Sequence, residues 1–164
     1  SSLPPSIGWT STCDEESFMR EYAGITAWVQ SCRDAARRCG YVETLHSRRR
    51  FLPALASRSR AEREHAERQA VNSSCQASAA DLVKTAMLAI HSRLKTMRVR
   101  EDGECRMAAR MLLQVHDELL FEVHESSLDA VRAMVVAEMI GAGRDLRVPL
   151  QVKWRVGRTF GTLE

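Results

Sequence analysis

The chain has 164 residues, enough for one domain with its own core, and apolar residues make up 45% of it. No apolar run approaches the ~18–20 residues of a membrane span, and the N-terminal SSLPPSIGWTSTC has neither the basic region nor the apolar core of a secretory leader, so a soluble globular piece is expected, one that a longer chain could contain. The net charge of +3 hides a segregation of sign: residues 31–70 hold ten Arg against five acids, and residues 116–138 hold six acids against one Arg.

Thr12-x-x-Glu15 reads as a capping box. It predicts a helix from near Cys13 to about Tyr22, interrupted by Gly24. A second helix places Ile25, Trp28, Val29, Cys32, Ala36 and Cys39 on one face, with Gly40 to end it. YVETL (41–45) is strand-like, RRRFL (48–52) is its hairpin partner, and residues 53–59 form a loop. Residues 60–76, rich in Ala, Glu, Arg and Gln, predict a helix. Another follows on the stripe Ala79, Leu82, Val83, Ala86, Met87, Ile90 and Leu94, a core-packing pattern. RVREDGEC (98–105) reads as a polar loop, and two strands follow at about 109–115 and 118–123. Ser126 or Ser127 caps a helix to about Ile140, ended by Gly141 and Gly143, and VPLQVKWRV (148–156) reads as the last strand. Hairpin-connected strands among helices predict an α+β fold with an antiparallel sheet.

The chemistry is most concentrated in LLQVHDELLFEV, residues 112–123. The apolar pattern fixes a hairpin, and its connection must fall at His116-Asp117. Asp tolerates turn geometry, but His is an unusual choice there. A rigid hairpin with a carboxylate at its tip is a platform for a hard cation such as Mg²⁺, which takes oxygen ligands and leaves the rest of its shell to water and substrate phosphate. A polar turn with no chemical role explains the same spacing. A hydrolase acid/base dyad does not, because Asp117 and Glu118 are adjacent on a strand and point to opposite faces.

In AERQAVNSSCQAS, residues Arg68, Asn72 and Gln76 recur at i, i+4 and i+8. On a helix they form a row of hydrogen-bond donors about 12 Å long. The minor groove offers acceptors in every base pair with little sequence information, so such a row can track a duplex without reading it. An ordinary polar helix surface gives the same pattern. The 21 Arg against three Lys fit codon bias in an Ala-rich chain, but bias does not explain the segregation of sign. Guanidinium grips phosphate in a bidentate way, so the basic stretch points to phosphate, with a solvated helix face as the other reading. The cysteines (Cys13, Cys32, Cys39, Cys75 and Cys105) are odd in number and form no CxxC pair, and the histidines show no HExxH spacing. Reduced intracellular thiols are expected, without a zinc site or a disulfide scaffold.

At these residues the chain resembles a family A DNA polymerase. QVHDELLFEV resembles motif C of the palm, HAERQAVNSSCQASAADLVKTAM the helix that follows the template–primer minor groove, GYVETLHSRRRFLP the segment before it, and VPLQVKWRVGRTFG the final palm strand. RRRFLP and HAERQA resemble the eukaryotic polymerase theta and nu group, and residues 97–107 sit where theta-type enzymes carry an insertion. The resemblance implies the C-terminal part of a polymerase domain: about 1–45 at the end of the fingers, and about 46–164 a palm portion with an antiparallel sheet and the motif C hairpin packed against helices. It implies Asp117 as a metal ligand, Glu118 and His116 as catalytic neighbours, and Arg68, Asn72, Gln76, Arg48, Arg49 and Gln114 as DNA contacts. It also implies Mg²⁺ in a two-metal site, DNA primer–template and dNTP as partners, no membrane, a role in DNA repair or replication, and the nucleus or mitochondrion as compartment. No motif A and no nucleotide-binding helix occur in the sequence, so the chain would act with an N-terminal polymerase portion and be incomplete alone. A non-catalytic duplex-binding remnant is the alternative. Three positions depart from the family pattern: Ser47 stands for Gly, Ala77 for Gly, and Ala23 for Pro.

Overall fold

Gly40 ends the first helix where the sequence places it. In this computed structural model, which describes residues 20–163, helix α1 (Ala23–Cys39) stops as Gly40 takes the left-handed conformation (φ +75°) and its N–H donates to the Ala36 carbonyl at 2.8 Å. The helix expected from Cys13 falls largely outside the described residues. The apolar face expected on α1 is only partly buried: Ala36 is enclosed, whereas Ile25, Trp28 and Cys39 are exposed.

The chain divides into two compact units between Ser78 and Ala79. In the first, strands β1 (Tyr41–Glu43) and β2 (Arg49–Phe51) pair antiparallel, with Val42 opposite Arg50, as expected. Helix α2 (Arg60–Leu94) begins after a short 3₁₀ turn at Pro53–Ala56. Ala36, Val42, Leu52 and Ala70 form a small core. Polar contacts fasten α1 and the hairpin to α2. Arg37 pairs with Glu67 at 2.7 Å, Arg50 donates to Ser73 Oγ at 2.6 Å, the Leu45 N–H donates to Ser78 Oγ at 3.0 Å, and Arg48 donates to the Ala77 carbonyl at 3.2 Å.

The two helices expected over 60–94 are one continuous helix of 35 residues. No Gly or Pro interrupts this span, and Ala77, at the expected junction, is a strong helix former. The serines near the expected junction bond back within the helix: Ser73 to the Gln69 carbonyl, Ser74 to Ala70 and Ser78 to Ser74.

In the second unit, Ala86, Ile90 and Leu94 of α2 pack with Ala109, Val131 and Met134. Strands β5 (Ala109–Val115) and β6 (Glu118–Val123) match the expected pair. Helix α3 (Leu128–Gly141) follows a 3₁₀ turn at Glu125–Ser127. Neither expected serine caps α3 through its side chain; instead the His124 ring accepts from the Ser126 N–H of the preceding turn. Arg93 of α2 pairs with Glu138 of α3 at 2.8 Å.

Two other expectations fail here. Residues 98–105 are not a loop: β3 (Arg98–Glu101) and β4 (Glu104–Met107) form a hairpin. Asp102 and Gly103 both take positive φ (+51° and +82°), the two-residue turn that Asp-Gly favours between antiparallel strands. Conversely, residues 148–156 pair with no strand among the described residues, because β1 to β6 pair only as three separate hairpins. An extended segment without a ladder partner is not a strand. Trp154, half-exposed, is held by the Arg132 guanidinium 4.4 Å above its ring. The antiparallel α+β class holds, as three two-stranded ladders rather than one sheet. No described helix is long and apolar enough to cross a membrane.

Ser47, in place of the family's Gly, takes φ +60° in the β1–β2 turn. A left-handed non-glycine residue costs about 1–2 kcal/mol, and glycine's extra freedom returns about 0.5–1 of that. Ser47→Gly is therefore expected to stabilise the protein by about 0.5–1 kcal/mol, read as a higher urea midpoint at unchanged m value.

Candidate catalytic turn and nucleic-acid face

Val115 pairs with Glu118, so the connection between β5 and β6 is the two-residue turn His116-Asp117. His116 takes φ +53°, and the Gln114 side-chain amide donates to its carbonyl at 2.9 Å, bracing the turn from within the hairpin. A register shift between Met111 and Leu113 marks a bulge at Leu112. Before it, Ala109 and Met111 share a side with Val123 and Phe121. After it, Gln114 pairs with Leu119, while Leu113 and Val115 share the other side with Leu120 and Glu118. The bulge thus moves Leu113 and Val115 off the core side, and both are about half exposed. The sequence signal for it was the run Met111-Leu112-Leu113, which breaks apolar–polar alternation.

Asp117 and Glu118 are exposed at the tip. Glu118 meets Arg155 of the C-terminal segment at 3.5 Å, a contact between two largely exposed groups that no spacing in the sequence announced. Among the described residues no three His, Cys, Asp or Glu side chains gather as a metal site. The donor set at the turn is two carboxylates, hard oxygen ligands that suit Mg²⁺ when water and phosphate complete the shell. Glu118 is shared with Arg155, so Asp117 is the carboxylate through which the turn fits one share of such a site.

Arg68, Asn72 and Gln76 are all exposed on the single helix α2, at successive turns about 6 Å apart. Ala66, Ala70 and Ser73 of the same stretch are buried. The row has the continuity and exposure that tracking a duplex requires.

The other expected DNA contacts are engaged within the protein. Arg49 pairs with Glu43 at 2.8 Å and lies over the Tyr41 ring at 4.7 Å. The hydrogen bond to Glu43 is the largest of the effects that push its guanidinium above its ordinary pKa. Arg48 donates to the Ala77 carbonyl, and Gln114 is committed to the His116 turn. Arg50, not singled out from the sequence, joins Arg48, Arg49 and Ser73 around a shallow pocket of about 230 Å³.

Residues 13–162 match DNA polymerase family A. DNA polymerase I of Mycobacterium leprae (strain TN) is 42% identical over 146 residues, which cover 89% of this chain and 15% of the relative. The thermostable DNA polymerase I of Thermus filiformis is 42% identical over 145 residues, 88% of this chain and 16% of the relative. The POL domain of Pol1 from M. smegmatis, solved in complex with DNA primer-template and dNTP, shares 39% identity and a TM-score of 0.74, covering 84% of this chain and 23% of that one. The chain therefore spans about one-sixth of the length of these curated relatives.

The Gln114 amide is the internal brace of the turn, and an exposed hydrogen bond of this kind contributes about 1 kcal/mol. Gln114→Ala is expected to speed backbone amide exchange at Asp117 and Glu118 about fivefold and to leave Ile90 unchanged. Hydrogen exchange followed by NMR measures both.

Proposed function

Because the chain belongs to DNA polymerase family A, we propose that it is the C-terminal palm portion of a template-directed DNA polymerase, contributing one carboxylate platform and one duplex-tracking helix. The observation that carries this reading is the His116-Asp117 turn: an exposed carboxylate at the tip of a hairpin whose base packs into an apolar core. A polar turn without a role needs neither a left-handed histidine nor a glutamine spent on bracing it.

In this reading Asp117 binds Mg²⁺, and Glu118 adds negative charge beside it under partial restraint by Arg155. A bound Mg²⁺ pair supplies activation of a primer 3′-hydroxyl and charge stabilisation on the displaced phosphate. His116 presents its ring beside the primer end. Arg68, Asn72 and Gln76 donate to minor-groove acceptors of the nascent duplex. The nucleotide-binding elements and the second carboxylate come from the rest of the polymerase. Residues 1–45 then close the fingers region and 46–164 belong to the palm.

The branch of the family rests on shorter signals. RRRFLP, HAERQA and the hairpin at 98–107 support the theta and nu group, and with it a nuclear role in DNA repair; the relatives described above are bacterial. The Glu118–Arg155 contact favours a second reading, a duplex-binding remnant without catalysis. Asp117 weighs against it, because an open carboxylate repels phosphate unless a cation lies between them.

Two sets of variants test the proposal in a complete polymerase carrying this segment. Asp117→Asn keeps volume and removes charge. It is expected to lower turnover at least about 1,000-fold, the equivalent of several kcal/mol of lost charge stabilisation, while primer–template affinity stays within a few fold. Single-turnover extension and equilibrium binding measure the two quantities, and an affinity loss as large as the rate loss refutes the metal role.

Arg68→Ala is expected to weaken primer–template binding about 10- to 100-fold, since hydrogen bonds from a charged group are worth roughly 1.5–3 kcal/mol. Gln76→Ala is expected to cost about fivefold, and more on a matched primer end than on a mismatched one, because a mispair displaces the minor-groove acceptor. Equal losses on both ends would place Gln76 away from the terminal pair.

A further inference from the structure

The β3–β4 ribbon segregates its charges between its two faces. Its register pairs Arg98 with Met107, Val99 with Arg106, Arg100 with Cys105 and Glu101 with Glu104. Paired residues share a side and successive residues alternate, so one face carries Arg98, Arg100, Cys105 and Met107. The other carries Val99, Glu101, Glu104 and Arg106.

Both carboxylates on the second face are spent locally. Arg106 bonds Glu101 at 3.3 Å and Glu104 at 3.0 Å, and the His124 ring meets Glu101 at 3.4 Å. Glu101 and Val99 are half-buried, so this is the face turned towards the body of the unit. On the first face Arg98 and Arg100 are exposed, and neither pairs with a carboxylate among the described residues; Arg98 donates only to the carbonyl of its neighbour Met97. Asp102 lies in the turn, on neither face. The ribbon therefore holds Glu101 and Glu104 on one face, both paired with Arg106, and displays Arg98 and Arg100 on the other.

We propose that this outward face is a second nucleic-acid contact, binding the sugar–phosphate backbone through Arg98 and Arg100 without reading sequence. Residues two apart on a strand are about 6.6–6.8 Å apart, a spacing from which two long arginine side chains reach neighbouring phosphates of one strand. Two guanidinium groups at that spacing can engage two phosphates of one strand, each in a bidentate way. Half-exposed Met107 and exposed Cys105 beside them offer apolar contact to the sugars. The inference rests on the reading that this protein handles nucleic acid, and it adds a site outside the Asp117 turn and the Arg68 row.

The test is the salt dependence of binding to a labelled primer–template duplex by the 164-residue chain, measured by fluorescence anisotropy from 50 to 200 mM NaCl. Each phosphate contact contributes about 0.9 to the slope of log K against log salt. R98Q/R100Q should reduce that slope by about 1.8, so that across this range the unaltered chain loses about 12-fold more affinity than the variant. R98K/R100K should keep the slope. R106Q, which removes a charge from the opposite face, should leave it unchanged. Circular dichroism checks that the variants keep their fold, and variants that lose it are replaced by the single substitutions R98Q and R100Q, each expected to lower the slope by about 0.9.

If the slope is unchanged in R98Q/R100Q while Arg68→Ala weakens binding, the ribbon site is wrong and the proposed function stands. If neither the unaltered chain nor a complete polymerase carrying it binds the duplex, both fail. A slope reduction in R106Q equal to that of R98Q overturns the assignment to one face.

Discussion

Helix α2 runs from Arg60 to Leu94 without a glycine or proline, and each of the two cores is built against part of it. Its buried positions change character along its length. Ala66, Ala70 and Ser73 come first, all small, and they let a hairpin and a helix approach closely enough for side-chain oxygens and guanidinium groups to meet. Ala86, Ile90 and Leu94 come later and are larger, filling an apolar core under the β5–β6 hairpin. The polar row at Arg68, Asn72 and Gln76 is rigid because the backbone bearing it is gripped on its other sides.

The arginines divide by what they touch. Arg37, Arg49, Arg50 and Arg93 are structural fasteners, each tied to a carboxylate or a hydroxyl. Such exposed pairs contribute about 0–1 kcal/mol apiece, so their value is in fixing where hairpins and helices sit. Arg68 and Arg100 reach solvent without such a tie. A basic composition alone could not distinguish these two sets, because the same residue type serves both, and only the register and the fold say which guanidinium groups are already occupied.

The most legible part of the sequence was the β5–β6 hairpin. Its strands are apolar, its turn is short, and its bounds came out as Ala109–Val115 and Glu118–Val123. The polar row on α2 was legible too, since helical spacing alone puts 68, 72 and 76 on one side. Where the reading failed, local pattern and tertiary context disagreed. Strands β3 and β4 are charged on both faces, so they lacked the apolar alternation that marks a half-buried strand, although Asp102-Gly103 carried the turn signal. Residues 148–156 had the apolar alternation but no partner to complete a ladder. The division of 60–94 into two helices found no break in the backbone, and the serines at 73, 74 and 78 bond back within one helix. Arg155 reached Glu118 across 37 residues of sequence, a pairing that no local pattern encodes.

The bulge at Leu112 makes the strand a matter of counting as well as composition. Side-chain direction along a strand has only two values, and one extra residue would exchange them for everything that follows if a bulge did not absorb it. A chain lacking one of Met111, Leu112 or Leu113 would keep an apolar strand and an unbroken ladder. Its glutamine would still pair with Leu119 and emerge on the same side, because the bulge only absorbs the extra residue and the pairs beyond it stay in register. Between relatives, a single-residue gap here would therefore mark a less bent strand that still carries its His-Asp-Glu tip on the same support.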